Sequence, residues 1–180
     1  ARERQSQSGA GPGRPRLGQA LAGKTAKSHG RSVDADAEIT ATGGGSEAIF
    51  DAVLAVVRPG EEVIVLDPCY DCYEPAIDLA GARAVHVALD AHDFSVDWQK
   101  VRDAITPRTR MLMINSPHNP SGAMLSAVDM ETLTEILRGT DILLLSDEVY
   151  EHIVYDGARH ESVLRYPELA ELSFVLSSFG

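Results

Sequence analysis

Five short stretches concentrate the side chains that could do chemistry. Gly43, Gly44, Gly45 and Ser46, in "TGGGSEA", form a glycine turn feeding a helix that starts at Ser46. Glycine lets the backbone approach a ligand, and a helix N-terminus favours phosphate. The same string fits the G-x-G-x-x-G/A pattern of dinucleotide sites, with Asp67 following at the end of the next strand. A tight turn with no ligand is the ordinary reading. "DPCYDCY" offers Tyr70 and Tyr73. Either ring could stack on a flat ligand or be an ordinary half-buried aromatic. "NSPHNPSG" sets two neutral amides, Asn115 and Asn119, in a turn punctuated by proline and glycine, directly after the apolar run "RMLMI".

Asp147 follows the apolar run "ILLLS". A carboxylate there is partly desolvated and needs a partner, and a protonated ring nitrogen would serve. Tyr150 is three residues on, within reach of the same place. Capping of the following turn by Asp147 and Glu148 stays open. The last stretch, "SSFG", carries Ser178. Cys69 and Cys72 have C-x-x-C spacing, but no second pair exists. His29, His86, His92, His118, His152 and His160 show no common spacing, so the expectation is no metal site. Asp129, Glu131 and Glu135 read as a solvated helix face.

The elements that must position these residues alternate. "LGQALAGKTAKSHG" is a modest helix ended by Gly30. "AEITA" precedes the glycine turn as a short strand. "SEAIFDAVLAVV" has helical spacing and is stopped by "RPG"; "EEVIVL" is a strand; "DCYEPAIDLAG" is a loop, then a helix. "RAVHVAL" is a strand, "SVDWQKVRDAI" a helix capped by Ser95 or Asp97, and "RMLMIN" a strand. "SAVDMETLTEILRG" is a helix, and "DILLLSDEV" and "LSFVLSSFG" are strands. This order predicts an α/β fold with a mainly parallel sheet between helices. Ligands in such sheets bind beyond the carboxyl ends of the strands, where all five stretches fall.

A net charge of -11 argues against a nucleic-acid or anionic-membrane partner. No apolar run reaches the length of a membrane span and the N-terminus has no apolar signal core. With two cysteines and no disulfide framework, the chain reads as soluble and cytoplasmic. Residues 1–16, "ARERQSQSGAGPGRPR", hold almost nothing apolar and are expected to be disordered or not native to the fold.

The five stretches, in this order, resemble fold-type I pyridoxal-phosphate enzymes, specifically the class I/II aminotransferases. "DPCYDCYEP" and "DEVYEHIVYDGARHESV" resemble the methionine and kynurenine aminotransferase branch most. The resemblance implies that residues 17–180 are part of the large, cofactor-binding domain and that the cofactor is pyridoxal 5'-phosphate. It implies that Gly44, Gly45 and Ser46 cradle the phosphate and that Ser178 adds a hydroxyl. Tyr70 stacks on the pyridine ring and Asp147 pairs with its nitrogen. Asn119 and Tyr150 hydrogen-bond the phenolic oxygen, with Asn115 in the same pocket. The dinucleotide reading explains the first turn and Asp67, but not Asn119, Asp147 and Tyr150.

The family's Schiff-base lysine would be the residue after Gly180, so no catalytic residue is assigned; Lys24, Lys27 and Lys100 match no family motif. The expectation is therefore an inactive fragment of an enzyme that moves an amino group from an α-amino acid to a 2-oxo acid. Methionine, aromatic amino acids and kynurenine are the implied substrates, and the intact relative is expected to be a homodimer. A cysteine-conjugate β-lyase of the same fold and a non-catalytic gene remnant are the alternatives.

Overall fold

The computed structural model describes residues 15–178, and the chain divides after Gly43 into two compact units. The first contains helix α1 (Pro15–His29). Its proline start suits a position that lacks an intrahelical N–H partner anyway. Gly30, at φ 71°, ends it, with its N–H on the Ala26 carbonyl at 3.1 Å. Pro15 and Arg16 are thus helical, although the sequence places them in the segment expected to be disordered or not native to the fold; residues 1–14 of that segment lie outside the described residues. The expected strand over 37–41 does not form. Two β-branched residues, Ile39 and Thr40, suggested it, but no ladder partner exists among the five strands of the sheet. The preceding residues close instead into a turn in which Glu38 accepts from the Asp34 N–H at 2.6 Å.

The second unit is a five-stranded sheet with every pairing parallel. Its elements are α2 (Gly45–Val56), β1 (Glu62–Asp67), α3 (Tyr73–Leu79), β2 (Arg83–Ala88), α4 (Trp98–Ala104), β3 (Thr109–Asn115), α5 (Ala127–Leu137), β4 (Leu143–Asp147), a single 3-10 turn (Val163–Arg165), α6 (Pro167–Glu171) and β5 (Ser173–Leu176). The strand order is β2-β1-β3-β4-β5. The chain steps one way from β1 to β2, then returns past β1 to β3. The crevice of such a sheet lies where that direction reverses, at the carboxyl ends of β1 and β3.

Strand side chains alternate between two cores. Val63, Val65, Met111, Met113 and Leu145 face α2 and α3. Ile64, Leu66, Leu112, Ile114 and Leu144 face α4, α5 and α6. Burial on both faces explains the unbroken apolar runs in β1, β3 and β4. Helix ends follow local chemistry. Asp97, not Ser95, caps α4 by accepting from the Gln99 and Lys100 N–H groups. Ser126 and Asp129 form a reciprocal capping box on α5. The Arg58 guanidinium donates to the Leu54, Ala55 and Val57 carbonyls at the end of α2.

At the amino end of the sheet, Glu62 is buried and accepts from Arg83, Arg108 and Thr106 at 2.6–3.0 Å. Those hydrogen bonds, Arg83's first, hold its carboxyl down at about 2. Among the described residues no helix is long and apolar enough to cross a membrane.

Candidate active site

The register aligns the strand ends that carry the polar residues. Asn115 pairs with Asp147 across β3 and β4, and Asp147 pairs with Leu176 across β4 and β5, two residues before Ser178. Asp147 is 5% exposed. Its Oδ1 accepts from the Val149 N–H at 3.2 Å, and its Oδ2 from the Tyr73 hydroxyl at 2.7 Å. It has no ion-pair partner among the described residues. Burial pushes its pKa up, the hydrogen bonds from Tyr73 and Val149 oppose this, and the neighbouring Glu148 charge adds to the rise. A buried carboxylate in this state is a strong acceptor with no cation beside it.

Tyr73 enters through the first residue of α3 and is buried against the α2 and α3 core. Its ring meets Tyr70 edge-on, with centroids 5.8 Å apart and planes at 84°. Tyr70 Oη stands 3.5 Å from Ser46 Oγ in the first turn of α2, and Ser46 Oγ is the same distance from Cys72 Sγ. A Cβ added at Gly44 would meet nothing within 4 Å, and one at Gly45 only Val149 Cγ2, at 3.5 Å. Protein packing therefore does not demand either glycine. What their bare backbone leaves is room above the helix end. Gly44 caps α2 without a side-chain hydrogen bond.

On the β3 side, Asn115 braces the turn. Its Oδ1 accepts from the Asn119 N–H at 2.6 Å and its Nδ2 donates to the Asp147 carbonyl at 2.9 Å. Gly122, at φ 75°, returns its N–H to the His118 carbonyl at 2.7 Å. His118 ties this turn to the loop after β1, with Nε2 2.8 Å from the Pro68 carbonyl and Nδ1 2.7 Å from Ser121 Oγ. The Asn119 amide and the Tyr150 hydroxyl make no side-chain hydrogen bond among the described residues.

Residues 2–180 match the family described as aminotransferase class I and II. The chain belongs to this family. It is 44% identical over 164 residues to the methionine aminotransferase of Escherichia coli, covering 91% of this chain and 42% of that protein. It is 34% identical to kynurenine–oxoglutarate transaminase 1 of mouse, covering 93% of this chain and 42% of that one. The solved structure of the Escherichia coli methionine aminotransferase superposes with a TM-score of 0.92, at 43% identity, covering 94% of this chain and 45% of that one. An aromatic aminotransferase from Pyrococcus horikoshii gives 0.91 at 34% identity, covering 95% of this chain and 46% of that one. The chain thus spans under half the length of these relatives. The family match includes residues 2–16, which the sequence sets apart.

Class I and II aminotransferases use pyridoxal 5'-phosphate, and the donor set here fits that group. A buried carboxylate with no ion-pair partner among the described residues suits a protonated ring nitrogen. An aromatic ring beside a helix N-terminus suits a flat ring that carries a phosphate. An uncommitted amide and phenol suit an anionic oxygen. Direct contacts link Ser46, Tyr70, Tyr73, Asp147, Asn115 and Asn119 into one chain of neighbours, and Gly45 lies against Val149. Tyr150 and Ser178 stand on the segments that follow β4 and β5.

The resemblance assigned the ring face to Tyr70 and left Tyr73 without a role, and His118 was read only as one of six histidines with no common spacing. Tyr73 reaches Asp147, and His118 has a structural role, bridging two site loops; the only signal for either was its place inside a motif. Asp67, the acidic residue of the dinucleotide reading, is occupied by His86 Nδ1 at 2.8 Å. Burial first, then Asp67, raises the Cys69 thiol to about 11, so it stays protonated and is a poor nucleophile. No cluster of three or more His, Cys, Asp or Glu that could hold a metal occurs among the described residues. A cavity of about 250 Å³ opens on the α5 side of the sheet beside Asn115, His118, Phe94 and Met124. Ser46, Tyr70 and Asp147 do not line it, so the site is defined by its side chains rather than by that cavity.

Proposed function

We propose that the protein binds pyridoxal 5'-phosphate at the carboxyl ends of β1, β3 and β4 and serves amino-group transfer from an α-amino acid to a 2-oxo acid. The observation that carries this is Asp147: a buried carboxylate with no cationic partner among the described residues, linked by direct contacts to an aromatic ring at a helix N-terminus. When bound, the cofactor supplies an electron sink for charge developing at the substrate α-carbon. Asp147 keeps the ring nitrogen protonated, which deepens that sink. Tyr70 packs on the ring face and fixes its plane. Gly44, Gly45 and Ser46, with Ser178, take the phosphate through backbone N–H groups and hydroxyls. Asn119 and Tyr150 donate to the phenolic oxygen, and Asn115 holds the turn that presents Asn119.

Methionine is the favoured amino donor, with aromatic amino acids and kynurenine next, on the strength of the relatives' named activities. Residues 17–180 are assigned to the large domain, the working form to a homodimer and the site of action to the cytoplasm. These assignments rest on the resemblance, on the acidic charge and on the absence of a membrane-length helix among the described residues. Equilibrium dialysis against pyridoxamine 5'-phosphate tests the site. This ligand keeps the ring and phosphate but lacks the aldehyde, so it reports non-covalent contacts alone. Saturable binding that weakens in both Tyr70→Ala and Asn119→Ala supports the reading. Binding indifferent to both substitutions sinks it. Amino transfer from methionine, phenylalanine and kynurenine to 2-oxo acids, assayed on a protein that also supplies the Schiff-base lysine, then ranks the substrates.

A further inference from the structure

We propose that Tyr73 is a positioning residue of the cofactor site: its hydroxyl locks the Asp147 carboxylate while its ring buttresses Tyr70. The inference rests on the reading of Asp147 as the partner of a ring nitrogen. A carboxylate can rotate about its Cβ–Cγ bond and present either oxygen. Here both oxygens are tied, Oδ1 to the Val149 N–H and Oδ2 to the Tyr73 hydroxyl. The plane of the group is thereby fixed, and each oxygen keeps a lone pair for an incoming donor. Burial first, and then the Asp147 charge, push the Tyr73 phenol far above its ordinary value. It keeps its proton and donates. That donation also opposes the rise that burial imposes on the Asp147 pKa.

Tyr73 can act as a rigid strut because it is itself immobilised. It is 2% exposed, it opens α3, and it packs in the core that joins α2 and α3 to the sheet. The edge contact with Tyr70 ties the same side chain to the ring assigned to stack on the cofactor. One tyrosine therefore sets the relation between the surface that would hold the ring's face and the acid that would hold its nitrogen. A bare carboxylate would pay to reorganise on binding, and a pre-oriented one would not.

The test is a double-substitution cycle on the full chain, read as affinity for pyridoxamine 5'-phosphate by equilibrium dialysis. Tyr73→Phe keeps the ring and removes the hydroxyl. Loss of one hydrogen bond to a charged group predicts about tenfold weaker binding. In an Asp147→Asn background the same change should alter affinity less than about twofold, because the carboxylate charge that the hydroxyl steadies is gone. Equal weakening in both backgrounds would mean a merely structural role and overturn the proposal. Full affinity in Tyr73→Phe, with Asp147→Asn weakened, overturns it while leaving the site reading intact. Unchanged affinity in Asp147→Asn sinks the site reading itself and this proposal with it. Should Tyr73→Phe not fold, tyrosine labelled at Cζ in the otherwise unaltered chain decides. The Tyr73 signal must move both on binding and in Asp147→Asn, and a signal that stays put in either overturns the proposal.

Discussion

Asn115 Oδ1 accepts the Asn119 backbone N–H at 2.6 Å while Asn115 Nδ2 donates to the Asp147 carbonyl at 2.9 Å. One side-chain amide thus spans the ends of β3 and β4 and shapes the turn that presents Asn119. The side chain assigned to the cofactor pocket has half of its hydrogen-bonding capacity committed to backbone, with one N–H and one oxygen lone pair left. Asn115→Ala should therefore cost stability even without ligand. The Asp147 carbonyl keeps a second donor, the Ser116 N–H at 3.1 Å, whereas the Asn119 N–H loses its acceptor. A loss of about 1–2 kcal/mol is expected by urea denaturation, with weaker binding of pyridoxamine 5'-phosphate in parallel. Unchanged stability would show that the brace carries no weight.

Asp147 should trade stability for binding. Its folded pKa is raised, chiefly by burial, so the folded state takes up a proton more readily than the unfolded chain. The ionised group therefore opposes folding at neutral pH, and its contribution becomes more favourable as pH falls through that raised pKa. Asp147→Asn should leave the ligand-free protein at least as stable at neutral pH, by up to about 1 kcal/mol, and bind the pyridoxamine ligand about tenfold or more weakly. Thermal melts with and without ligand measure both. A variant that is less stable and binds normally would contradict the assignment.

Glu62 predicts the opposite slope. Its pKa is lowered from 4.5 to about 2, so it contributes stability that is present above pH 4.5 and is lost as pH falls towards 2. The Arg83 and Arg108 side chains are 67% and 64% exposed, which screens the pairing. About 2 kcal/mol is expected at neutral pH. Glu62→Gln should lower stability at pH 7 by roughly that amount and flatten the acid limb between pH 4.5 and 2. Parallel urea midpoints for the two proteins across that window would rule this out.

Glu148 is buried beside the site and holds three partners. His160 Nε2 lies 2.8 Å from its Oε2, and Ser146 Oγ and the Val163 N–H reach its Oε1 at 2.9 and 3.1 Å. It ties β4 to the 3-10 turn at Val163. Glu148→Ala should strand all three and cost about 3 kcal/mol in chemical denaturation. Glu148→Gln should recover part of that loss, since it preserves shape and one acceptor. A loss below 1 kcal/mol for the alanine variant would show that water replaces the carboxylate.

The sequence by itself determined the alternation of strands and helices and the strand ends that carry chemistry. Unbroken apolar runs such as "RMLMI" and "DILLL" can be buried only on two faces, and that forces a covered parallel sheet. Local rules placed most helix ends too, because a cap acts over three or four residues. Ser126 could be read this way, and Asp97 was one of two named candidates. Pairings between distant residues were invisible to it. Tyr73 and Asp147 are 74 residues apart, and His118 and Pro68 are 50 apart. No propensity or period connects such positions, since only strand order and register bring them within hydrogen-bond range. The same limit produced the strand expected at 37–41: β-branched residues permit a strand, but a ladder partner makes one. The tertiary structure alone decided which tyrosine meets the acid, which asparagine braces and which stands ready, and that a buried carboxylate at the end of β4 has no cation beside it among the described residues.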